Sequence, residues 1–339
     1  MFSRRALPAL ASRRLYSTET PGKPSIKLVA ELRKITEVSI TKAREALTAT
    51  NNDVQAAYNW LQDDLVASGA KKAAKLGDRV TQQGLVGVSI LSNSDGKAKS
   101  GRGVRAAMVE VNCETDFVGR NARFDALVAD IAHTAAFIAE AEDSSSFFKS
   151  VPLELLQDAP LITREGSQSE AQGTVGSVIN DSIARFGERI QLRRAVSVVH
   201  TPSVSDIRLR LATYSHGSVG IPTQGQIGTL AVLALRSPKV NELFGKPEFV
   251  EDLGKLERSL GRQIVGFPTT KIRSASNEPD DGALYDQEFM MYLAANGERV
   301  GRALQQWAQQ RGLTSAGEAD TGLEVMEFLK WTVGESESS

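Results

Sequence analysis

The chain has 339 residues, enough for two or three compact domains. Its 40 Lys and Arg against 41 Asp and Glu leave a net charge of -1, so the basic excess that direct nucleic-acid binding demands is missing. One cysteine and three histidines exclude a disulfide framework and a thiolate metal cluster, and no apolar run reaches the roughly 18 residues of a membrane span.

The first residues, MFSRRALPALASRRLYSTET, carry Arg4, Arg5, Arg13 and Arg14 with no acid before Glu19. Arginine and serine interspersed with Phe, Leu and Ala, without a continuous apolar core, read as a mitochondrial transit peptide over residues 1–17, which predicts import into the matrix. Pro21 and Pro24 then keep the backbone extended up to the first helix.

Residues 26–66 read as three short helices. Leu28, Val29, Leu32 and Ile35 share one face of the first; Ile40, Ala43, Ala46 and Leu47 share one face of the second; Val54, Ala57, Tyr58 and Leu61 share one face of the third. Asn52, three residues before Gln55, is the expected cap of the third helix, with Asp53 at its positive end. Residues 67–84 form a polar, basic connector that ends at Gly84.

Alternation then replaces the helical period. LVGVSILSN and VRAAMVEVN flank the turn SDGKAKSGRG and predict a hairpin. VNCETDFVGRN follows, and the helical spacing of Phe124, Leu127, Val128, Ile131, Ala135 and Ile138 makes that stretch a strand-to-helix corner. Residues 85–185 are read as a first core subdomain with an insertion whose first part, from Ser144, is expected as loop. Residues 186–339 are read as a second core subdomain with strands at ERIQLRRAVSVVH, DIRLRLATYSHG and QIGTLAVLALRS, helices after Val240 and near 299–311, and a final strand. The fold class is therefore α+β: an N-terminal three-helix domain followed by an internally duplicated core of antiparallel sheet plus helices.

No enzyme motif survives inspection. Gly101, Gly103 and Ala106 match G-x-G-x-x-A, but a strand follows where the dinucleotide fingerprint needs a helix. Cys113 lacks a local base and orienting acid, so it reads as a small buried residue at a strand end. Glu110, Glu114 and Asp116 are imaginable as an acid pair or magnesium site, but with no lysine, histidine or further ligand beside them they read as solvated carboxylates. His216, in YSHGSVG, reads as a hydrogen-bonded loop histidine. Phe117 has two orientations open to it: into the core, or outward as an anchor framed by Asp116, Gly119, Arg120 and Asn121.

VNCETDFVGRN closely resembles the signature of the translation elongation factor Ts family. LVAELRKITEVSITKAREALTATNNDVQAAYNWLQ is similar to that family's ubiquitin-associated (UBA)-like domain, SGAKKAAKLGDRVTQQGLVGV to its linker, and FGERIQLRRAV, YSHGSVG and LYDQEF to later core motifs. The resemblance implies a guanine-nucleotide exchange factor for elongation factor Tu, acting without covalent chemistry, cofactor or metal, and without direct nucleic-acid or membrane contact. It also implies partner contacts at Thr115, Asp116, Phe117 and Val118, at Arg33 and Ile40 in the N-terminal helices, and at Tyr214 and His216 in the second half. The chain departs from the family at Ile40 and Thr41, which replace a methionine pair, at Glu288, which stands where proline is usual, and over 237–283, which is short. Two rivals remain: a binding or assembly protein on the same scaffold without exchange activity, and a cysteine-dependent enzyme.

Overall fold

The computed structural model describes residues 23–36, 38–94, 103–141, 145–164, 173–218, 220–275, 278–314 and 322–336; the leader reading at 1–17 lies outside them. The chain divides into two compact units, Met1–Asp64 and Leu65–Ser339, taken in turn.

In the first unit α1 (Ile26–Thr36), α2 (Ile40–Ala49) and the start of α3 (Val54–Leu76) close on Val29, Leu32, Ala43, Ala46, Leu47, Ala57 and Leu61. Ser39 caps α2 by accepting the Lys42 amide at 3.2 Å. Asp53, rather than Asn52, caps α3, its Oδ1 accepting the Ala56 amide at 2.9 Å. Ile35 leaves the inner face predicted for it, because Val29, Leu32 and Thr36 already fill the buried stripe. The third helix also runs on to Leu76, through most of the stretch read as a separate connector.

The second unit is built in four layers. One sheet has the strand order β3-β4-β2-β1-β6, formed by β1 (Gln83–Asn93), β2 (Val104–Cys113), β3 (Lys149–Ser150), β4 (Ile190–His200) and β6 (Gln224–Gly225). The other has the order β5-β7-β8, from β5 (Ile207–His216), β7 (Ile227–Arg236) and β8 (Leu323–Thr332). All of these pairings are antiparallel.

Side-chain alternation explains the layering. On β2, Val104, Ala106 and Met108 join Leu209, Leu211, Leu230 and Val232 in a core between the sheets. Ala107, Val109, Val111 and Cys113, on the opposite face, pack under the helices α4 (Asp116–Gly119), α5 (Ala122–Ile138), α6 (Leu153–Asp158) and α7 (Val175–Phe186). Ala231, Leu233 and Leu235 of β7 pack against α8 (Val240–Phe244), α9 (Pro247–Gly266) and α10 (Val300–Gln310). Both faces of the central strands are thus buried, which is why their sequences read as nearly continuous apolar runs.

Three expectations change. Ile190–His200, expected in the second half, pairs along its length with β2, so the first sheet takes it and the second begins at Ile207. The segment after Ser144, expected as loop, contains β3 and α6, and Val151 and Leu156 are buried under α7. The long helix after Val240 breaks at Gly245 and restarts with Pro247 at its first position, where the missing amide costs nothing.

Candidate functional site: the strand-to-helix corner

Strand β2 ends at Cys113, and a single helical turn, α4, bridges it to α5. Thr115 caps α4 with extended backbone (φ -118, ψ 154), its hydroxyl accepting the Val118 amide at 3.4 Å. Asn121 caps α5 by accepting the Arg123 amide at 2.8 Å. Within the turn, Val118 faces the core and Gly119 fits against the Cys113 sulfur and Gly84. With those two positions turned in, Asp116 and Phe117 face out, and Phe117 is 83% exposed. A fully presented aromatic ring is unusual on a folded surface.

The corner is held from outside by the segment after α7. The Glu188 carboxylate accepts the Thr115 amide at 3.1 Å and the Thr115 hydroxyl at 2.8 Å. The adjacent Arg189 amide donates to the Glu114 carboxylate at 2.7 Å. Arg79 pairs with Glu114 at 3.2 Å, and the Arg189 guanidinium donates to the Arg79 carbonyl. Asp116 is itself paired with Arg120 at 3.4 Å.

The second predicted cluster arrives beside the first. A cleft of about 280 Å³ is lined by Asp116, Gly119 and Arg120 from the corner, by Gln83, Gly84 and Leu85 of β1, and by Gly217 and Gln226 flanking the turn after His216. That turn is tied to α5, because Asp125 accepts the Ile221 amide and the Gln224 side chain donates to the Asp125 carbonyl, both at 2.8 Å. His216 is exposed at the end of β5, and Tyr214 is half-buried with the Arg262 guanidinium 5.6 Å above its ring. Thr115 to Phe117 and the His216 turn therefore share one end of the second unit. In the first unit, described by itself, Ile40 is 49% exposed and the exposed Arg33 donates to the Val38 carbonyl at 3.1 Å.

Two site readings are corrected. Val118 is buried in the core cluster, so it anchors the corner from inside and presents no surface. Glu110 is no solvated carboxylate: it is 0% exposed and pairs with Arg193 at 2.9 Å and Arg194 at 2.6 Å. A register shift beside Glu110 in the β2–β4 ladder leaves Arg193 as an extra residue, so two consecutive arginines reach one acid. Cys113 is fully buried, and burial together with the nearby Glu188 charge pushes its thiol up to about 12, which removes the thiolate needed for nucleophilic work. Among the described residues no group of three or more His, Cys, Asp or Glu is placed to hold a metal, and no helix is long and apolar enough to cross a membrane.

Glu188, Arg189, Asp125 and Gln224 shape the site and were absent from the predicted set. FGERIQLRRAV reads as a strand and a core motif, and pairing over 73 residues to Thr115 leaves no local signal.

Residues 114–246 match the family model described as Elongation factor TS. The chain is 53% identical over 334 residues to "Elongation factor Ts, mitochondrial" of Coprinopsis cinerea, with 97% of each covered. It is 50% identical over 329 residues to the protein of the same name from Laccaria bicolor, with 96% of each covered. It is 47% identical over 340 residues to "Elongation factor Ts, mitochondrial 2" of Postia placenta, with 98% of each covered.

Proposed function

The chain belongs to the elongation factor Ts family, in its mitochondrial form, and on that premise we propose that it is the guanine-nucleotide exchange factor of mitochondrial elongation factor Tu. It binds the GDP-bound partner, releases GDP and leaves a nucleotide-free complex that GTP then dissolves. The observation that carries this reading is Phe117, 83% exposed on a turn whose entry at Glu114 and Thr115 is tied to Glu188 and Arg189.

The physics is coupling. A factor that binds the empty partner more tightly than the nucleotide-bound one weakens nucleotide binding by the same ratio. A thousandfold weakening needs about 4 kcal/mol, whereas burying one aromatic ring yields about 2–3 kcal/mol. Several contacts therefore share the work. Phe117 enters the nucleotide-binding domain of the partner beside its phosphate and magnesium site, with Asp116 next to it. Arg33 and Ile40 of the N-terminal helices grip the same domain. Tyr214 and His216 hold a second domain of the partner.

We read the N-terminal helices as UBA-like, the two sheet-plus-helix layers as an internal duplication, and residues 1–17 as the leader for import into the matrix. Release of fluorescent GDP from purified elongation factor Tu tests the function: the chain accelerates release at substoichiometric amounts. Complex formation without acceleration would favour the assembly-protein reading and overturn this one.

A further inference from the structure

Phe117 makes so little contact with its own molecule that its direction must be set by the backbone beneath it. That backbone is one helical turn, closed by Gly119 to Thr115 at 3.2 Å and Arg120 to Asp116 at 3.0 Å. A single turn does not hold itself, since fixing its dihedral angles costs more than its hydrogen bonds return. Something outside the turn must hold it.

The geometry points to Glu188. Its two carboxylate oxygens take both polar hydrogens that Thr115 can offer, the amide at 3.1 Å and the hydroxyl at 2.8 Å. With the hydroxyl proton directed at Glu188, the lone pairs of Oγ1 are free to accept the Val118 amide, so one carboxylate orients the cap of the turn. The neighbouring residues repeat the contact in reverse, the Arg189 amide meeting the Glu114 carboxylate at 2.7 Å. Two short segments, 114–115 and 188–189, thus exchange carboxylate-to-amide bonds and fix each other at two points, which blocks rotation of the corner about either one.

We infer that Glu188 is a positioning residue for nucleotide exchange: acting through Thr115, it holds the turn that presents Phe117 in an ordered state before the partner arrives. The inference rests on the exchange reading above. A pre-ordered ring enters its pocket without first losing conformational freedom, so the effect falls on how well the wedge acts rather than on how much surface is buried.

The test compares wild type, Glu188→Ala, Glu188→Gln, Phe117→Leu and the Glu188→Ala/Phe117→Leu double variant in fluorescent-GDP release from elongation factor Tu. Glu188→Ala lowers the maximal release rate about tenfold while affinity for the nucleotide-free partner stays within about threefold. Glu188→Gln retains most of the rate, because its amide accepts from the Thr115 amide and donates to the Thr115 oxygen. In the Phe117→Leu background, slowed but measurable, Glu188→Ala costs less than about twofold, as expected of two groups acting as one unit. In the free protein, Glu188→Ala speeds hydrogen exchange of the 116–119 amides about tenfold with little change in global unfolding temperature. Equal rate losses in both backgrounds, no loss at all, or a loss tracking global unfolding would overturn the positioning role. A wild-type chain that leaves GDP release unaccelerated would instead overturn the exchange reading on which it rests.

Discussion

The Arg194 guanidinium closes on the Glu110 carboxylate at 2.6 Å and carries it wholly out of solvent, while its own flat face lies 4.2 Å from the centre of the Trp331 ring. Glu110 also accepts from Arg193, from the Asn112 side chain at 3.0 Å and from the Gly334 amide at 2.8 Å. One acid thereby joins β2, β4 and the turn that follows β8. Glu110→Ala removes the buried acid that both arginines share, leaving Arg194 its half-exposed partner Glu335 and Arg193 only the Glu335 carbonyl, and the expected cost is about 3 kcal/mol in urea unfolding.

The same site predicts an acid limb in stability. Burial opposes ionisation of Glu110, but the Gly334 amide, the Asn112 side chain and Arg194 together hold its carboxyl below the ordinary 4.5. Because the folded-state value is depressed, the stabilisation is complete above the ordinary value and is lost as pH falls through the folded one. Thermal unfolding measured downward from pH 6 should show the midpoint dropping below about pH 4.5, and Glu110→Gln should flatten that drop.

Phe117→Ala removes a ring that supports none of the core. Its unfolding free energy in urea should stay within about 0.5 kcal/mol of wild type while acceleration of GDP release falls by more than about tenfold. A large stability loss would show that the ring is packed in solution.

Cys113 should resist thiol reagents. With the thiol pushed up to about 12 and fully enclosed, modification at pH 8 should proceed only as fast as unfolding exposes it, and urea should abolish the protection. Cys113→Ser should leave exchange activity within about twofold, because the hydroxyl can donate to the Thr115 carbonyl that the thiol now meets at 3.2 Å.

Gly225 is packed so closely against the His216 backbone that an added Cβ would collide with its carbonyl oxygen and lie 2.8 Å from its carbonyl carbon. Gly225→Ala should cost more than about 2 kcal/mol and displace the turn beside the cleft, visible as faster hydrogen exchange at Ile221.

What the sequence disclosed follows the range of the interaction involved. The β1–β2 hairpin and α5 are legible because periodicity is local, and the corner because an alternating strand gives way to a helical period within ten residues or so. The direction of Phe117 is not set by the sequence pattern but by Val118 and Gly119, which fill the inner side of the turn. Glu110 reads wrongly as solvated because Arg193, Arg194 and Gly334 are 83, 84 and 224 residues distant and one of these contacts depends on a bulge. The sheet that holds Ile190–His200 was misplaced for a similar reason: strand order is set by which surfaces meet, and nothing inside a strand records its neighbour.

The clasp at Glu110 also imposes a schedule on folding during synthesis. Ribosomes deliver β2 and β4 well before residues 323–335, so the early sheet must wait with one wall uncovered and its buried acid short of a partner. Only when residues 323–335 emerge can β8 pair with β7, Trp331 settle on Arg194 and Gly334 donate to Glu110. A nascent chain that has not yet released residues 323–335 would therefore leave the edge of β7 unpaired and depend on chaperones until β8 closes on it.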